Sequence, residues 1–220
     1  MKNCEPDVVG SALDISAIVI LAGGNSMRFK AKGVTTPKAL VSVQNKALFQ
    51  HVIERLSTNM IIYLSVHQID QTWETYYPKN LLIPDCFPDR RGPAAGLLSA
   101  MGRLQDKTYL VTVPCDCPQL PKDLIPKLTG MASHNVSLPI VAYHGDHIQP
   151  TIAIWPTSLH PVLQKYLDSP ERNGSLRGFL EHVGHLKCTF PSDNKTNLFL
   201  NINEPHQLLN NFAELNQNLS

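Results

Sequence analysis

Long apolar runs, an excess of charge, paired cysteines and the familiar phosphate-loop patterns are all missing from this 220-residue chain. No segment stays apolar for the roughly 18 residues that a membrane-spanning helix needs. The opening MKNCEPDVVGSALD carries acids and a proline where a secretory signal requires an apolar stretch. The chain therefore reads as soluble and cytoplasmic, with no membrane partner. Its 19 basic and 18 acidic residues give a formal charge of +1, without a long run of either sign. That balance leaves no broad footprint for nucleic acid, so an anionic ligand must be bound locally. The five cysteines, at positions 4, 86, 115, 117 and 188, are odd in number and show no CxxC spacing. This argues against a disulfide framework or a zinc ribbon and fits buried thiols. His144 with His147 and His182 with His185 are spaced three apart, which does not by itself make a metal site. No linker or shift in composition divides the chain, so residues 1–220 read as one domain, with a tail at 1–14.

What is present is an alternation. Short β-branched runs at Ile15–Leu21, Met60–Val66, Leu81–Ile83 and Tyr109–Val113 have the character of strands buried on both faces. Leu48, Val52 and Leu56 follow the first glycine loop at helical spacing, and Leu97, Leu98, Met101 and Leu104 follow RRGPAAG in the same way. Alternation of this kind predicts crossover units and a mostly parallel sheet. The second half is more mixed. VSLPIVAY, TIAIW, HLKCTF and LFLNIN read as further strands around helices near 157–167 and 175–182, with some antiparallel pairing. From Glu204 the apolar residues Leu208, Leu209, Phe212 and Leu215 share one face, with Asn203 placed to cap and Pro205 in the first turn. A closing helix and tail over 204–220 is expected.

Ligands of open α/β sheets sit beyond the carboxyl ends of the strands, and four such ends stand out. The first is LAGG, where Gly23 and Gly24 allow main chain to approach a ligand or simply make a tight turn. Spacing does not choose between these, since neither GxGxxG nor GxxxxGK[ST] is present. Arg28 and Lys38 tilt the balance toward a polyphosphate, although either can be a surface cation. At the second end, Asp85 follows a strand immediately, and Gly92, Pro93 and Gly96 bring a helix start near it. A solvated acid beside a helix N-terminus is the plainer alternative. At the third, VPCDCPQLP holds Asp116 between two prolines, either as a turn acid or as a carboxylate for Mg²⁺. The fourth is LFLNIN, where Asn201 alternates with apolar neighbours and offers an amide able to read a heterocycle.

In order and spacing, LAGG with Arg28 and Lys38, PDCFPDRRGPAAGLLSA, VPCDCPQLP, QPTIAIWPTSLHPVLQKYLDSPER and FLNINEP resemble the molybdenum cofactor guanylyltransferases. These belong to a wider group of nucleotidyltransferases that includes the sugar-nucleotide pyrophosphorylases. The resemblance implies a three-layer αβα sandwich, Rossmann-like, with the mostly parallel mixed sheet of the nucleotide-diphospho-sugar transferases. It implies that GMP passes from GTP to the phosphate of molybdopterin with release of pyrophosphate. Leu21, Ala22, Gly23 and Gly24 would line the GTP site, with Arg28 and Lys38 on the phosphates and Asp85 on the guanosine portion. Asp116 would hold Mg²⁺, and Asn201 and Asn203 look like the family's pterin-side motif. Transient proteins that deliver or accept the cofactor would be the partners. CTP-using relatives tend to carry alanine at the position of Gly23, so GTP is the expected nucleotide. The chain also departs from the family. RFKAKGVTTPK is longer than the usual loop and resembles the sugar-nucleotide branch; Leu64 or Ser65 stands where an asparagine is usual; Gln149 replaces a histidine. A sugar or alcohol phosphate acceptor, with CTP as its possible donor, and a noncatalytic GTP- or pterin-binding relative are the competing expectations.

Overall fold

The computed structural model describes residues 15–24, 36–56, 58–89, 92–132, 136–169, 174–191 and 198–203. Arg28, the N-terminal tail and the expected closing helix lie outside the described residues.

The chain opens on strand β1 (Ile15–Leu21). Within it, Ala17 to Ile20 are fully buried. The continuous apolar run thus comes from a strand covered on both sides. Alternate residues enter different layers, as the pleat requires. Ile18 and Ile20 join one cluster, and Ala17, Val19 and Leu21 join the other.

A hairpin of β2 (Ser42–Val43) and β3 (Lys46–Ala47) turns through Gln44 and Asn45, at φ 50° and 63°. Positive φ at both turn residues matches the twist of a two-residue hairpin. Helix α1 (Leu48–Leu56) follows and buries Leu48, Phe49, Val52 and Leu56. Strand β4 (Ile61–Val66) leads to helix α2 (Gln71–Tyr76), capped by the Asp70 carboxylate, which accepts from Trp73 N at 3.1 Å. Strand β5 (Leu82–Pro84) leads to helix α3 (Pro93–Arg103), whose cap Gly92 has φ 74°. Strand β6 (Tyr109–Pro114) is followed by α4 (Leu124–Met131), β7 (Ile140–His144) and β8 (His147–Pro156). Helices α5 (His160–Asp168) and α6 (Leu176–Val183) precede the edge strand β9 (Leu186–Phe190).

The seven long strands form one sheet in the order β5-β4-β1-β6-β8-β7-β9. Only β8 runs antiparallel to its neighbours β6 and β7. Helices α1 and α4 pack with the cluster of Ile18 and Ile20, and α3, α5 and α6 with that of Val19 and Leu21. The result is a three-layer sandwich around a mostly parallel mixed sheet. In the core, Trp155 Nε1 donates to Thr112 Oγ1 at 2.8 Å, which satisfies the buried hydroxyl at the sheet centre.

From β1 the chain passes outward to β4 and β5, then returns across β1 to β6. β1 and β6 thus meet where the strand order reverses, the crevice in which open α/β sheets bind ligands beyond their carboxyl ends. One expectation needs correction. LFLNIN forms no strand: Phe199 and Ile202 are buried without joining a ladder, and Ile202 N donates to Asp116 O at 2.9 Å. Phe199 packs against the rings of Phe190 and His144, each 5.3 Å away, which accounts for its apolar alternation.

Candidate active site

The crevice between β1 and β6 is the mouth of a cleft of about 490 Å³. Leu21 is in register with Ser65 on β4 and with Pro114 on β6. Pairing continues just past the strands, through Ala22 N to Ser65 O at 2.8 Å and Cys115 N to Leu21 O at 3.3 Å. Gly23 and Gly24 are the first residues released from the sheet, and both line the cleft.

Glycine is favoured at Gly23 by proximity rather than by a left-handed backbone, since the positive-φ glycines are elsewhere. A Cβ there would lie 3.2 Å from His67 N and 3.3 Å from Asp85 Oδ2. Gly96 in α3 is tighter still, for its Cβ would meet Ser65 Oγ at 2.5 Å. These two contacts draw the first turn of α3, β4 and the LAGG segment together. Asp85 is held by its own backbone, N donating to Val66 O at 2.9 Å, and its Oδ2 is 3.4 Å from His67 Nδ1. Its carboxylate is only 7% exposed yet borders the cleft.

Lys38 begins a short 3-10 turn in which Ala39 and Leu40 are buried. These apolar neighbours anchor the turn while the ammonium reaches the cleft floor. There it pairs with Asp116 Oδ2 and donates to Asn203 Oδ1 at 3.2 Å. Asp116 is flanked by buried thiols. Burial first, and the Asp116 charge second, push Cys115 up to about 12, and the same causes raise Cys117 well above 9.0. Both thiols therefore stay neutral beside the carboxylate. Asn201, the last of the expected residues, accepts from Cys117 Sγ at 2.8 Å.

Leu21, Ala22, Gly23, Gly24, Lys38, Asp85, Asp116, Asn201 and Asn203 thus line a single cleft. Arg28 is the expected site residue that lies outside the described ones. Ser65, Cys115 and Thr151 also line it, although no sequence motif singles out Thr151. His67, touching Asp85 from behind, carried no signal either, because a lone histidine after a strand has no distinctive spacing. Among the described residues no three His, Cys, Asp or Glu side chains gather into a metal cluster. Asp116 is a single carboxylate, which suits a Mg²⁺ ion that takes its remaining ligands from phosphate and water.

The model of the MobA-like NTP transferase domain matches residues 18–186. The chain belongs to that family. It is similar to the molybdenum cofactor guanylyltransferase of Shewanella sp. (strain MR-4), 32% identical over 206 residues, which span 94% of this chain and 99% of the relative. The corresponding protein of Photobacterium profundum is 32% identical over 86% of this chain and 92% of its own length. Among solved structures, molybdopterin-guanine dinucleotide biosynthesis protein A of Archaeoglobus fulgidus superposes with a TM-score of 0.69 at 19% identity, over 91% of this chain and 99% of that one. A CMP:2-keto-3-deoxy-manno-octonic acid synthetase bound to CTP gives 0.64 at 15% identity, over 93% and 98%. At such identities the two structures establish the nucleotidyltransferase fold alone. The chain is accordingly a member of a nucleotidyltransferase family whose substrate is a nucleotide.

Proposed function

We propose that the protein transfers GMP from GTP to the phosphate of molybdopterin, forming the guanine dinucleotide cofactor and pyrophosphate. The observation that carries this reading is convergence. Glycine-exposed main chain at Gly23, the Lys38 ammonium and the Asp116 carboxylate border one cleft at the point where the strand order reverses. The relatives named above as molybdenum cofactor guanylyltransferases cover nearly the whole chain and supply the choice of substrates.

In the proposed reaction an oxygen of the molybdopterin phosphate attacks the α-phosphorus of GTP, and the bond from that phosphorus to the bridging β-oxygen breaks. The attacking oxygen is ionised near neutral pH, so no strong general base is required. Positioning and charge neutralisation carry the rate. Leu21 to Gly24 and Asp85 hold the nucleoside against the β1–β4–β5 side. Lys38 donates to the phosphates, and Arg28 is assigned to the same triphosphate. Asp116 would hold Mg²⁺, which would supply positive charge to the phosphates. Lys38 pairs with the same carboxylate, so the ammonium and the proposed metal site are adjacent.

A pyrophosphate-release assay with GTP and Mg²⁺, with and without molybdopterin, tests the proposal. Release that depends on molybdopterin is expected. The long RFKAKGVTTPK loop motivates a parallel screen of sugar and alcohol phosphates with GTP and CTP. Release with one of those and none with molybdopterin would reassign the acceptor. GTP binding without release under any condition would mark a noncatalytic relative.

A further inference from the structure

Which way a carboxamide faces is decided by the groups behind it, because one end donates and the other accepts. Asn201 is an exposed residue on the cleft wall formed by 198–203 and the turn after β6. Behind it stands Cys117, 1% exposed, with Sγ 2.8 Å from Asn201 Oδ1 and 3.7 Å from Phe199 O. A thiol has one hydrogen to give, and the nearer oxygen is that of Asn201. The scaffold around this contact is fixed. Ile202 N donates to Asp116 O at 2.9 Å, and the Phe199 side chain is buried in the layer below. The sequence pattern had offered Cys117 only the role of a buried thiol.

We propose that Cys117 is a positioning residue: its S–H holds the Asn201 carbonyl from behind, so that Asn201 presents its NH₂ to the cleft as a donor to an oxygen of the phosphorylated acceptor. The proposal rests on the guanylyl-transfer reading and adds a polarity to it. Asn201 lies on the β6 side with Asp116, away from the Gly23–Asp85 wall assigned to the nucleoside. Loss of the lock should therefore weaken the acceptor and spare GTP. An amide free to turn between two faces offers its donor about half of the time, which weakens acceptor binding about twofold.

The test compares Cys117→Ala, Cys117→Ser, Asn201→Asp and, as a packing control, Cys188→Ala, which removes another fully buried thiol, on the edge strand β9 and outside the cleft lining. Cys117→Ala should raise KM for molybdopterin about two- to threefold, with kcat and the calorimetric Kd for GTP held near the parent values. Cys117→Ser, which keeps a donor, should recover most of that loss. Asn201→Asp keeps the shape and the oxygen facing Cys117 but has no NH₂, so its KM should rise at least as far. Cys188→Ala should leave KM unmoved. An unchanged KM in Cys117→Ala, or an equal loss of GTP affinity, overturns the assignment. So does a serine variant no better than alanine, or an Asn201→Asp variant that binds acceptor normally, since either outcome removes the donor orientation. An independent readout is the S–H stretch in the infrared, isolated as the parent minus Cys117→Ala difference. It should rise in frequency when Asn201 is replaced by alanine, and a band that does not move also overturns the contact. Should the parent release no pyrophosphate with molybdopterin, the functional reading fails, and the infrared measurement still decides this one.

Discussion

The two walls of the cleft are built by different means. On the β1–β4–β5 side, three parallel strands end side by side, and Gly23 and Asp85, just past the ends of β1 and β5, come within a methyl group of each other. The ties described there lie at strand ends: Ala22 N to Ser65 O, Asp85 N to Val66 O, and Gly96 against Ser65. On the other side β6 and β8 bring Pro114 and Thr151 to the cleft, but the rest of the wall is not built from strands. Residues 198–203 return from the far end of the chain and are pinned to the turn after β6 by Ile202 N, the Cys117 thiol and the Lys38 bridge from Asp116 to Asn203. A wall made of strand ends is shaped by backbone and tolerates side-chain change where there is room. A wall stitched by side chains depends on each stitch. This difference fits a division of labour in which the first wall holds the nucleoside and the second holds the acceptor and the charge.

Asp116 belongs to both walls, since the turn that carries it leaves β6 beside Leu21 and its carbonyl anchors Ile202. Asp116→Asn should therefore have the largest effect of any single change. Pyrophosphate release at matched Mg²⁺ is expected to fall by on the order of a hundredfold or more, as when a group facing developing charge is lost. Thermal unfolding should move little, because the backbone tie to Ile202 remains and Asn203 still accepts from Lys38. Near-parent turnover in the purified variant would remove Asp116 from the mechanism.

Gly23→Ala attacks the first wall alone. The new methyl meets His67 N and Asp85 Oδ2 at 3.2 and 3.3 Å, so one of them must move by a few tenths of an ångström. The backbone amide cannot yield easily, which leaves the Asp85 carboxylate to shift. GTP affinity is expected to drop about tenfold, and the preference for GTP over CTP to narrow, in competition binding with the four nucleoside triphosphates. The molybdopterin KM should stay near the parent value. A shift in both substrates would erase the distinction between the walls.

The same contrast explains what could be seen in the sequence. Strands β1, β4, β5 and β6 were legible because burial on both faces makes continuous β-branched runs, and loops at their ends then marked Gly23, Asp85 and Asp116. The segment after β1 also offered Lys38 as a phosphate cation, but its distance from Asp116 in the chain hides their pairing. LFLNIN misled because buried Phe199 and Ile202 give strand-like alternation without strand partners. Helix α4 went unread, since LIPKLTGM contains Pro126 and Gly130, and its hydrophobic face is short. Thr151 reaches the cleft from β8, which runs antiparallel to β6 in the seven-stranded sheet, and its place there follows from the course of that strand rather than from a local pattern.

Gly96→Ala probes how tightly the first wall is closed. Its methyl would overlap Ser65 Oγ, an atom that can rotate away, so the expected loss of stability is modest, about 1–2 kcal/mol by denaturant unfolding. Ser65→Ala in the same background should return most of it, because the clash is with the hydroxyl and the Ser65 Cβ lies farther off at 3.6 Å. A double-mutant cycle measures this coupling directly. Additive losses would mean that helix α3 is held from elsewhere.

The smallest effect is confined to alkaline pH and belongs to the second wall. Cys115 is pushed from 9.0 to about 12, chiefly by burial and then by the Asp116 charge. In the unfolded chain the thiol ionises near 9, while in the folded chain it keeps its proton, so the folded state binds more protons between those values. Stability must then fall as pH rises from about 9 toward 12 and be unaffected by this group at neutral pH. Cys115→Ala should flatten part of that slope in unfolding experiments across the alkaline range, where Cys117 and Cys188, also raised by burial, contribute the remainder. Alanine at Cys86, which is exposed, should leave the slope as it was. Identical slopes for the parent and Cys115→Ala would show that Asp116 does not stand beside a thiol kept neutral by burial, and the second wall would lose its low-dielectric floor.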